Sequence, residues 1–437
     1  MIQSLSARVD LLMVSDLLRL YGKALTGANL SVHPISALAE KGIGWVSERG
    51  ASTEGTSIYL PDHIDQYDSK PENFAVFKVY ATHQAAHLEF GSFDFDFDAP
   101  GGVLPPTRRD LEEQKRAAGL IEKESWLTDM ERFFDLFEER QMASDIFTLV
   151  EDLRIDARIR EEYSGIRVAS RHVQSHELQR RPDVRALPLR QAFIENLVRA
   201  SLDGAMLMQF PRPLEPLLFG AVQVLNTVRP VHTTVEDAAE VTLQLYDIAA
   251  SIPNLPPDVL QDLDWETMTQ EALQELESQS GGDPEAGLDQ LPQGDEQPYE
   301  SPEQVGFRGD FKPELVQLLK RMRGETEEAA EEDLSPLTAD QIKDLLEKSV
   351  EVDIDLSDEF DMSAFNQLVE SLQDAGGAEP TDEEVTPADE EPPPVPIAPE
   401  IKTFYYDEWD FRAADYKPRW CAIRERRIEE GGDEFYE

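Results

Sequence analysis

Two histidines four residues apart, His83 and His87, are the residues of this sequence best suited to chemistry. They lie in a stretch, 72–90, in which apolar residues recur at helical spacing. An i, i+4 separation on a helix places both imidazoles on one face, about 5–6 Å apart. Two such rings can share one metal ion, and imidazole suits zinc or ferrous iron. Because two ligands are too few, a third, usually a carboxylate, must come from elsewhere in the chain.

The natural donor of that carboxylate is the predicted helix that carries Val-Glu-Asp-Leu-Arg-Ile-Asp at 150–156. Its acids border an apolar face, so they can point at a neighbouring helix. We predict Glu151 as the third metal ligand, with Asp152 and Asp156 as alternative ligands or as residues that orient the ligands. This two-helix arrangement resembles that of the zincin metallopeptidases, in which HExxH on one helix is completed by a Glu from the next.

Gln84 departs from the zincin pattern, because it occupies the position of the general-base Glu. An amide cannot act as a base, so hydrolysis is not expected even if a metal binds, although Gln84 can still orient the ligands. The alternative interpretation is that the two histidines only pack or form hydrogen bonds. A second pair, His172 and His176, is flanked by arginines, which disfavour a bound cation.

The composition excludes several classes of function. The chain has 437 residues, with 89 acidic against 40 basic side chains and a formal net charge of −49. Such a charge argues against binding of nucleic acids, and there is no GxxxxGK[ST] loop with which this chain would bind a nucleotide. The apolar stretch 9–25 is interrupted by charges, so no direct membrane insertion is expected. The single cysteine, Cys421, suits a reducing compartment, and the predicted localisation is cytoplasmic.

Apolar periodicity predicts a mainly α fold, with a multi-helix N-terminal domain. The predicted helices span 8–24, 72–90, 125–163, 188–203, 213–228 and 234–251. The best strand candidate is short, at 57–61, and is expected at the edge of a sheet. The run Phe-Asp-Phe-Asp-Phe-Asp at 93–98 alternates like a strand, but a solvated loop or edge is the favoured interpretation.

Composition also divides the chain into segments. The region 324–400 contains 25 Asp and Glu against two Lys, so part of it is expected to be disordered. The predicted organisation is a helical domain at 1–255, a helix at 256–277, a flexible linker at 278–312, an acidic region with short helices at 313–374, a Pro-rich acidic spacer at 375–400 and an aromatic segment at 401–437. The aromatic and basic side chains of the last segment predict a surface that docks a partner, with Trp409, Trp420, Arg424 and Arg427 as its candidate contacts.

Several of these motifs together resemble the NorD/CbbO-type proteins, over most of 10–255 and 401–427. The features that carry the resemblance are the HxxxH helix followed by Phe90-Gly91, the segment Glu151-Asp152-x-Arg154-Ile155-Asp156, the long acidic insert, and the aromatic run with Trp420-Cys421.

The resemblance implies an adaptor or activator subunit that works with a MoxR-class AAA+ ATPase. Its client would be a metalloenzyme of the nitric oxide reductase or Rubisco type, activated by remodelling or by metal insertion. The site would then be the remnant of a metallopeptidase or would carry iron for delivery to the client, as a metallochaperone does. Members of the family continue into a von Willebrand factor A domain that this sequence lacks, so the resemblance implies a fragment or a split protein.

Overall fold

The computed structural model describes residues 7–28, 30–39, 50–53, 55–123, 125–278, 288–322, 403–410 and 415–424. Contacts divide the chain into two compact units, Met1–Glu379 and Pro380–Glu437. The described part of the first unit is mainly helical, as predicted, and contains both candidate histidines. Among the described residues, none of the helices combines the length and the apolar character that crossing a bilayer requires.

The described helices and strands of the first unit follow one another along the chain in a mixed order. The helices are α1 (Ser15–Thr26), α2 (Ser36–Ala39), α3 (Lys70–Glu89), α4 (Thr107–Ala117), α5 (Asp129–Phe134), α6 (Arg140–Glu162), α7 (Arg167–Arg180), α8 (Leu189–Ser201), α9 (Glu215–Asn226), α10 (Val235–Ser251), α11 (Gln270–Ser278) and α12 (Pro313–Met322). The strands are β1 (Val9–Asp10), β2 (Ser31–Pro34), β3 (Ser52–Thr53), β4 (Ser57–Leu60), β5 (His63–Ile64), β6 (Gln209–Pro211) and β7 (Trp265–Thr267).

Helix α3 is the central element, because it packs against α1, α6, α7 and β4. It begins after Ser69, whose hydroxyl accepts the N–H of Glu72 at 3.3 Å, and Pro71 lies in its first turn. Every residue from 79 to 87 is buried, so this part of the helix has no solvent-facing side. Helix α6 lies beside α3 and also contacts α8 and α10, which encloses the space between α3 and α6 in the core.

Three predicted helices have different bounds in the structure. Of the helix predicted at 256–277, only the end is helical, as α11, because Trp265–Thr267 forms β7 and pairs with β6. The helix predicted at 8–24 begins only at Ser15, after β1 and a 3₁₀ turn at Leu11–Met13. The helix predicted at 125–163 is divided into α5 and α6. Backbone i, i+3 hydrogen bonds at Leu136 and Phe137 tighten the end of α5 and stop it. The ring of Phe133 lies 5.1 Å from that of Phe137, and both belong to a buried aromatic cluster. In one continuous straight helix these rings would be spaced along the helix axis and would not form a compact cluster.

The strand predicted at 57–61 exists as β4, but it is not an edge strand. It is the middle strand of three, parallel to β2 and antiparallel to β3. All four of its residues are buried, which is why the run is apolar without clear alternation.

The run 93–98 is not a strand, yet its side chains alternate. Its three phenylalanines are buried while its three aspartates are exposed. The backbone instead forms turns in which the Asp96 carboxylate accepts the N–H of Asp98 at 2.7 Å. The solvated-loop interpretation therefore holds for the acids, whereas the aromatic residues belong to the core.

The prediction of a flexible linker at 278–312 is wrong for residues 288–312. Val305, Phe307 and Phe311 are buried in the same apolar core as α3 and α6, and α12 follows directly with further buried leucines. The Asn254 side chain donates to the carbonyls of Gln297 and Pro298, which fixes the path of the chain before it reaches the core. The segment has a polar average composition, which led to the linker prediction. Its few apolar side chains nevertheless pack between the helices and are buried.

The second unit contains a β-hairpin made of β8 (Thr403–Asp410) and β9 (Asp415–Arg424). The strands are antiparallel, with Thr403 opposite Arg424 and an irregularity between Tyr406 and Glu408. Of the predicted docking residues, the structure describes the backbone of Trp409, Trp420 and Arg424, and Arg427 lies outside the described residues. Of the predicted acidic region 313–374, the structure describes only 313–322, as α12. The rest of that region and the predicted spacer 375–400 lie outside the described residues.

Candidate metal centre

The two histidines of α3 meet as predicted, one turn apart on the face that contacts α6. Their ring centroids are 4.8 Å apart, with the planes nearly perpendicular. The Nε2 atoms of His83 and His87 lie 3.2 Å from each other. Each residue is 1% exposed, so the pair is enclosed by protein.

Asp152 of α6 completes a group of three potential ligands. Its Oδ1 lies 3.2 Å from His83 Nε2 and 3.5 Å from His87 Nε2. Among the described residues, these three side chains are the ones that bring His, Cys, Asp or Glu atoms close enough to hold one ion. The group could therefore hold a metal ion.

The spacing of the three atoms fits a metal ion. Ligands placed 2.0–2.1 Å from a tetrahedral zinc ion lie about 3.3 Å from one another. The observed separations are 3.2, 3.2 and 3.5 Å, so one ion could contact Nε2 of both histidines and Oδ1 of Asp152 with little movement.

The outer nitrogen of each histidine is held by a hydrogen-bond partner. His83 Nδ1 lies 3.1 Å from Asp156 Oδ1, one turn after Asp152 on α6. His87 Nδ1 lies 2.9 Å from the hydroxyl of Ser92, just beyond the end of α3. When each Nδ1 carries the proton, each Nε2 presents a lone pair to the shared centre, as in metal-binding histidines whose second nitrogen is anchored. Asp156 thus orients a ligand, which was one of the roles predicted for it.

Glu151, predicted as the third ligand, does not reach the centre, and Asp152 takes that place. Both Glu151 oxygens accept from the Arg154 guanidinium, at 2.5 and 2.8 Å. Arg154 is buried and also donates to the carbonyls of Phe90 and Thr233. Adjacent helical residues point about 100° apart, so only one of Glu151 and Asp152 can face α3.

The charges around the centre shift the pKa values of its members in opposite directions. Burial lowers the pKa of His83, but hydrogen bonds to Asp152 and Asp156 outweigh it and raise that pKa to about 9. Burial together with the charge of His83 lowers the pKa of His87, despite its hydrogen bond to Asp152. Burial disfavours the charged form of Asp152, yet its hydrogen bonds to both histidines hold its pKa well below the usual range. The ligand carboxylate is therefore ionised at neutral pH.

Residues 305–311 cover the centre, a role that sequence analysis did not foresee. Phe311 stacks on His87 at 4.5 Å, and Phe307 meets the ring of His83 edge-on at 5.6 Å. Arg308 is 2% exposed and donates two hydrogen bonds to Asp156 Oδ2, at 2.8 and 3.1 Å. This cover encloses the centre on one side, and Arg308 compensates the charge of the second carboxylate, Asp156.

Gln84, the residue in the position of the zincin base, fastens this cover. Its amide nitrogen donates to the backbone carbonyl of Arg308 at 2.6 Å, and the side chain is 1% exposed. Gln84 thus orients the covering segment instead of a ligand. The only sequence signal for this covering segment is the pair of aromatic residues Phe307 and Phe311, four positions apart. The polar composition of the surrounding residues made this signal easy to miss.

The second histidine pair forms no comparable group in the described part of the chain. His172 and His176 lie on α7 beside the ring of Tyr67, at 4.6 and 5.6 Å between centroids. They are not within reach of a third ligand among the described residues.

Comparisons of the chain with protein-family models, with curated proteins and with solved structures found no match.

Proposed function

We propose that this chain is a metal-binding protein that holds one zinc or iron(II) ion between His83, His87 and Asp152. The observation that supports the proposal is the convergence of two Nε2 atoms and one carboxylate oxygen within 3.5 Å of one another. Two imidazoles and a carboxylate are a ligand set used for zinc and for non-haem iron(II). The bound ion would supply a fixed positive charge that ties α3 to α6.

Hydrolysis is not part of this proposal. The position of the base holds Gln84, which is bonded to the Arg308 carbonyl. The nearest acids outside the ligand set, Glu151 and Asp156, are each paired with an arginine. A structural ion in a degenerate zincin-like site, or an iron ion held for delivery, fits these contacts better than a peptidase.

Elemental analysis tests the proposal. The full chain, purified without added metal, is compared with the His83→Ala/His87→Ala double variant and with His172→Ala/His176→Ala as a matched control. We expect about one equivalent of zinc or iron in the wild type and in the control, and none in the first variant. The element found separates a zincin-like remnant from an iron carrier. Equal metal content in all three proteins, or no binding after incubation with either metal, would refute the proposal.

A second candidate function is that of an adaptor for a MoxR-class AAA+ ATPase, acting on a client metalloenzyme of the nitric oxide reductase or Rubisco type in the cytoplasm. It is supported by the resemblance of the motifs to NorD/CbbO-type proteins. The hairpin β8–β9 belongs to a compact unit of its own, which also suits a docking module. In this role the chain binds neither nucleotide nor nucleic acid, and its partners supply the ATP hydrolysis.

Co-purification tests the adaptor role independently of the metal. The full chain and a chain lacking 403–424 are used as baits for the MoxR-type ATPases of the host. We expect the full chain to retain such an ATPase and to change its turnover, and the shortened chain to lose this effect. If no ATPase of this class binds the full chain, the adaptor role is wrong, whatever metal the centre contains.

A further inference from the structure

A narrow cavity lies between α3, α6 and α7, behind the metal centre. Its walls include apolar side chains such as Ile159 and Phe307 and the outer side of His83 and Asp156. A water-sized sphere can move within about 20 Å³ of it. A volume of this size suits a small ion or one or two water molecules, and it excludes a ligand of drug size.

The cavity is bordered by positive charge. Arg160, Arg167 and Arg171 line it, in a chain whose net charge is −49. Arg160 is paired with Asp203 at 2.7 Å, and Arg167 is held by the carbonyls of Arg160 and Glu161, at 2.5 and 3.2 Å. Within the described part of the chain, no ion pair or hydrogen bond is formed by Arg171.

The first turn of α7 adds further donors on the same side. This 14-residue helix starts at Arg167 with no side chain capping its N-terminus. The Arg167 N–H donates to the Ser164 carbonyl, but the following N–H groups of the first turn and the helix dipole favour an anion. Ile166, just before the helix, and Arg167 and Ser170 in its first turn line the cavity.

An amide without a hydrogen-bond partner lines the cavity. Gln174 is 6% exposed and forms no hydrogen bond with the described residues. Its amide atoms are not fully enclosed by protein, so they can bond to a molecule in the cavity. Asp156, which also lines the cavity, offers little repulsion to an anion, because the Arg308 guanidinium already compensates its charge.

We propose that this cavity binds a small oxyanion, of the size of phosphate or smaller. Arg171 and the N-terminus of α7 supply the positive charge, and the Gln174 amide donates a hydrogen bond. The two sources of this chemistry are inorganic phosphate and a small carboxylate such as formate. The inference does not depend on whether the neighbouring centre holds a metal.

Calorimetric titration of the full chain with phosphate and with formate, at constant ionic strength, tests this inference. We expect saturable binding of one equivalent of at least one of them. Arg171→Gln should weaken it about tenfold or more, since an ionised donor is lost. Arg180→Gln, at the far end of α7 and outside the cavity, is the matched control and should bind as the wild type does. Gln174→Leu should also weaken binding without loss of charge.

The outcomes distinguish the sources and the alternatives. Binding of phosphate alone or of formate alone identifies the ligand class and supports the site. Equal weakening by Arg171→Gln and Arg180→Gln would show only general attraction to surface charge and would overturn the proposal. So would binding that disappears after chelator treatment but is insensitive to Arg171→Gln, because the anion would then contact the metal. Absence of saturation with both anions overturns it as well.

Discussion

At the scale of single residues, the third ligand depends on which of two neighbouring acids faces α3. Asp152 points into the centre, whereas Glu151 points at Arg154 and accepts a hydrogen bond from Ser92. Through Ser92, Glu151 is connected to the outer nitrogen of His87. The two acids are therefore expected to have separable roles, Asp152 as the candidate metal ligand and Glu151 as the partner of the buried Arg154.

Neutralising each acid in turn tests this division. Asp152→Asn should remove most of the metal while the protein stays folded, because the amide lacks the ligand charge. Glu151→Gln should keep the metal but lower the free energy of unfolding by about 3 kcal/mol, because it leaves Arg154 buried without its partner. Metal content by elemental analysis and stability by urea unfolding provide the two readouts. Loss of metal in Glu151→Gln with retention in Asp152→Asn would reverse the assignment.

The buried carboxyl of Asp145, on α6, leads us to expect that the free energy of unfolding depends on pH independently of any metal binding. Burial raises its pKa to about 6, against hydrogen bonds from Ser301, Tyr299 and Gln141. Because the folded state holds this proton more tightly than the unfolded chain, its contribution to stability is fully present below about pH 4 and is lost as the pH rises through 6.

Asp145→Asn removes that titration. The free energy of unfolding of the wild type, relative to this variant, should therefore be higher at pH 4 than at pH 7, by about 1–2 kcal/mol. Asp258→Asn, with the same change of charge on an exposed residue, is the control and should show no such difference. A relative stability that rises with pH would contradict the buried, protonated carboxyl.

At the scale of elements, residues 305–311 together with α12 act as part of the core. Arg308 is 152 residues away from Asp156 along the chain, yet the pair is buried and doubly hydrogen-bonded. By contrast, Lys320 of α12 pairs with Asp94 at the surface, at 2.7 Å. The two ion pairs fasten the same part of the chain but differ in burial.

Removing one partner of each pair measures that difference. Arg308→Ala should lower the free energy of unfolding by about 3 kcal/mol, because it deprives the buried Asp156 of its guanidinium. Lys320→Ala should cost about 0–1 kcal/mol, as is usual for exposed ion pairs. Thermal and urea unfolding of both variants provide the measurement. Equal, small effects would indicate that residues 305–311 do not close the core.

Helix α3 with its histidine pair and helices α8, α9 and α10 could be predicted from the sequence, because they follow from the 3.6-residue period, whereas α4 and α7 were not among the predicted helices. The choice between Glu151 and Asp152 could not, since it depends on the rotation of α6 about its own axis. The covering of the centre by Phe307 and Arg308 could not be predicted either. These residues contact α3 and α6 from far along the chain, and such long-range contacts produce no periodic pattern of apolar residues in a polar segment. Similarly, the central place of β4 is set by pairing with β2 and β3, which its own four residues do not encode.

At the scale of the whole molecule, the described part of the first unit contains its own core, which extends to the residues of α12. The most acidic stretch of the chain follows directly, with 25 acids against two lysines in 324–400. The core thus ends where the density of negative charge along the chain is highest.

A chain ending at Met322 should therefore keep the stability and the metal content of the full protein. We expect a melting temperature within about 2 °C of the full chain, because the apolar contacts identified in the core all lie before this point. Scanning calorimetry and elemental analysis of the two chains check this. A much lower melting temperature would mean that the acidic part stabilises the helical unit.

The cover over the centre also has a consequence for biosynthesis. His83 and Asp152 leave the ribosome long before Arg308, and domains generally begin to fold from the N-terminal side during translation. Until Phe311 has emerged, no covering segment encloses His83, His87 and Asp152 on the nascent chain. An ion that binds these residues can therefore enter during translation. Residues 305–311, which are synthesised later, then enclose it.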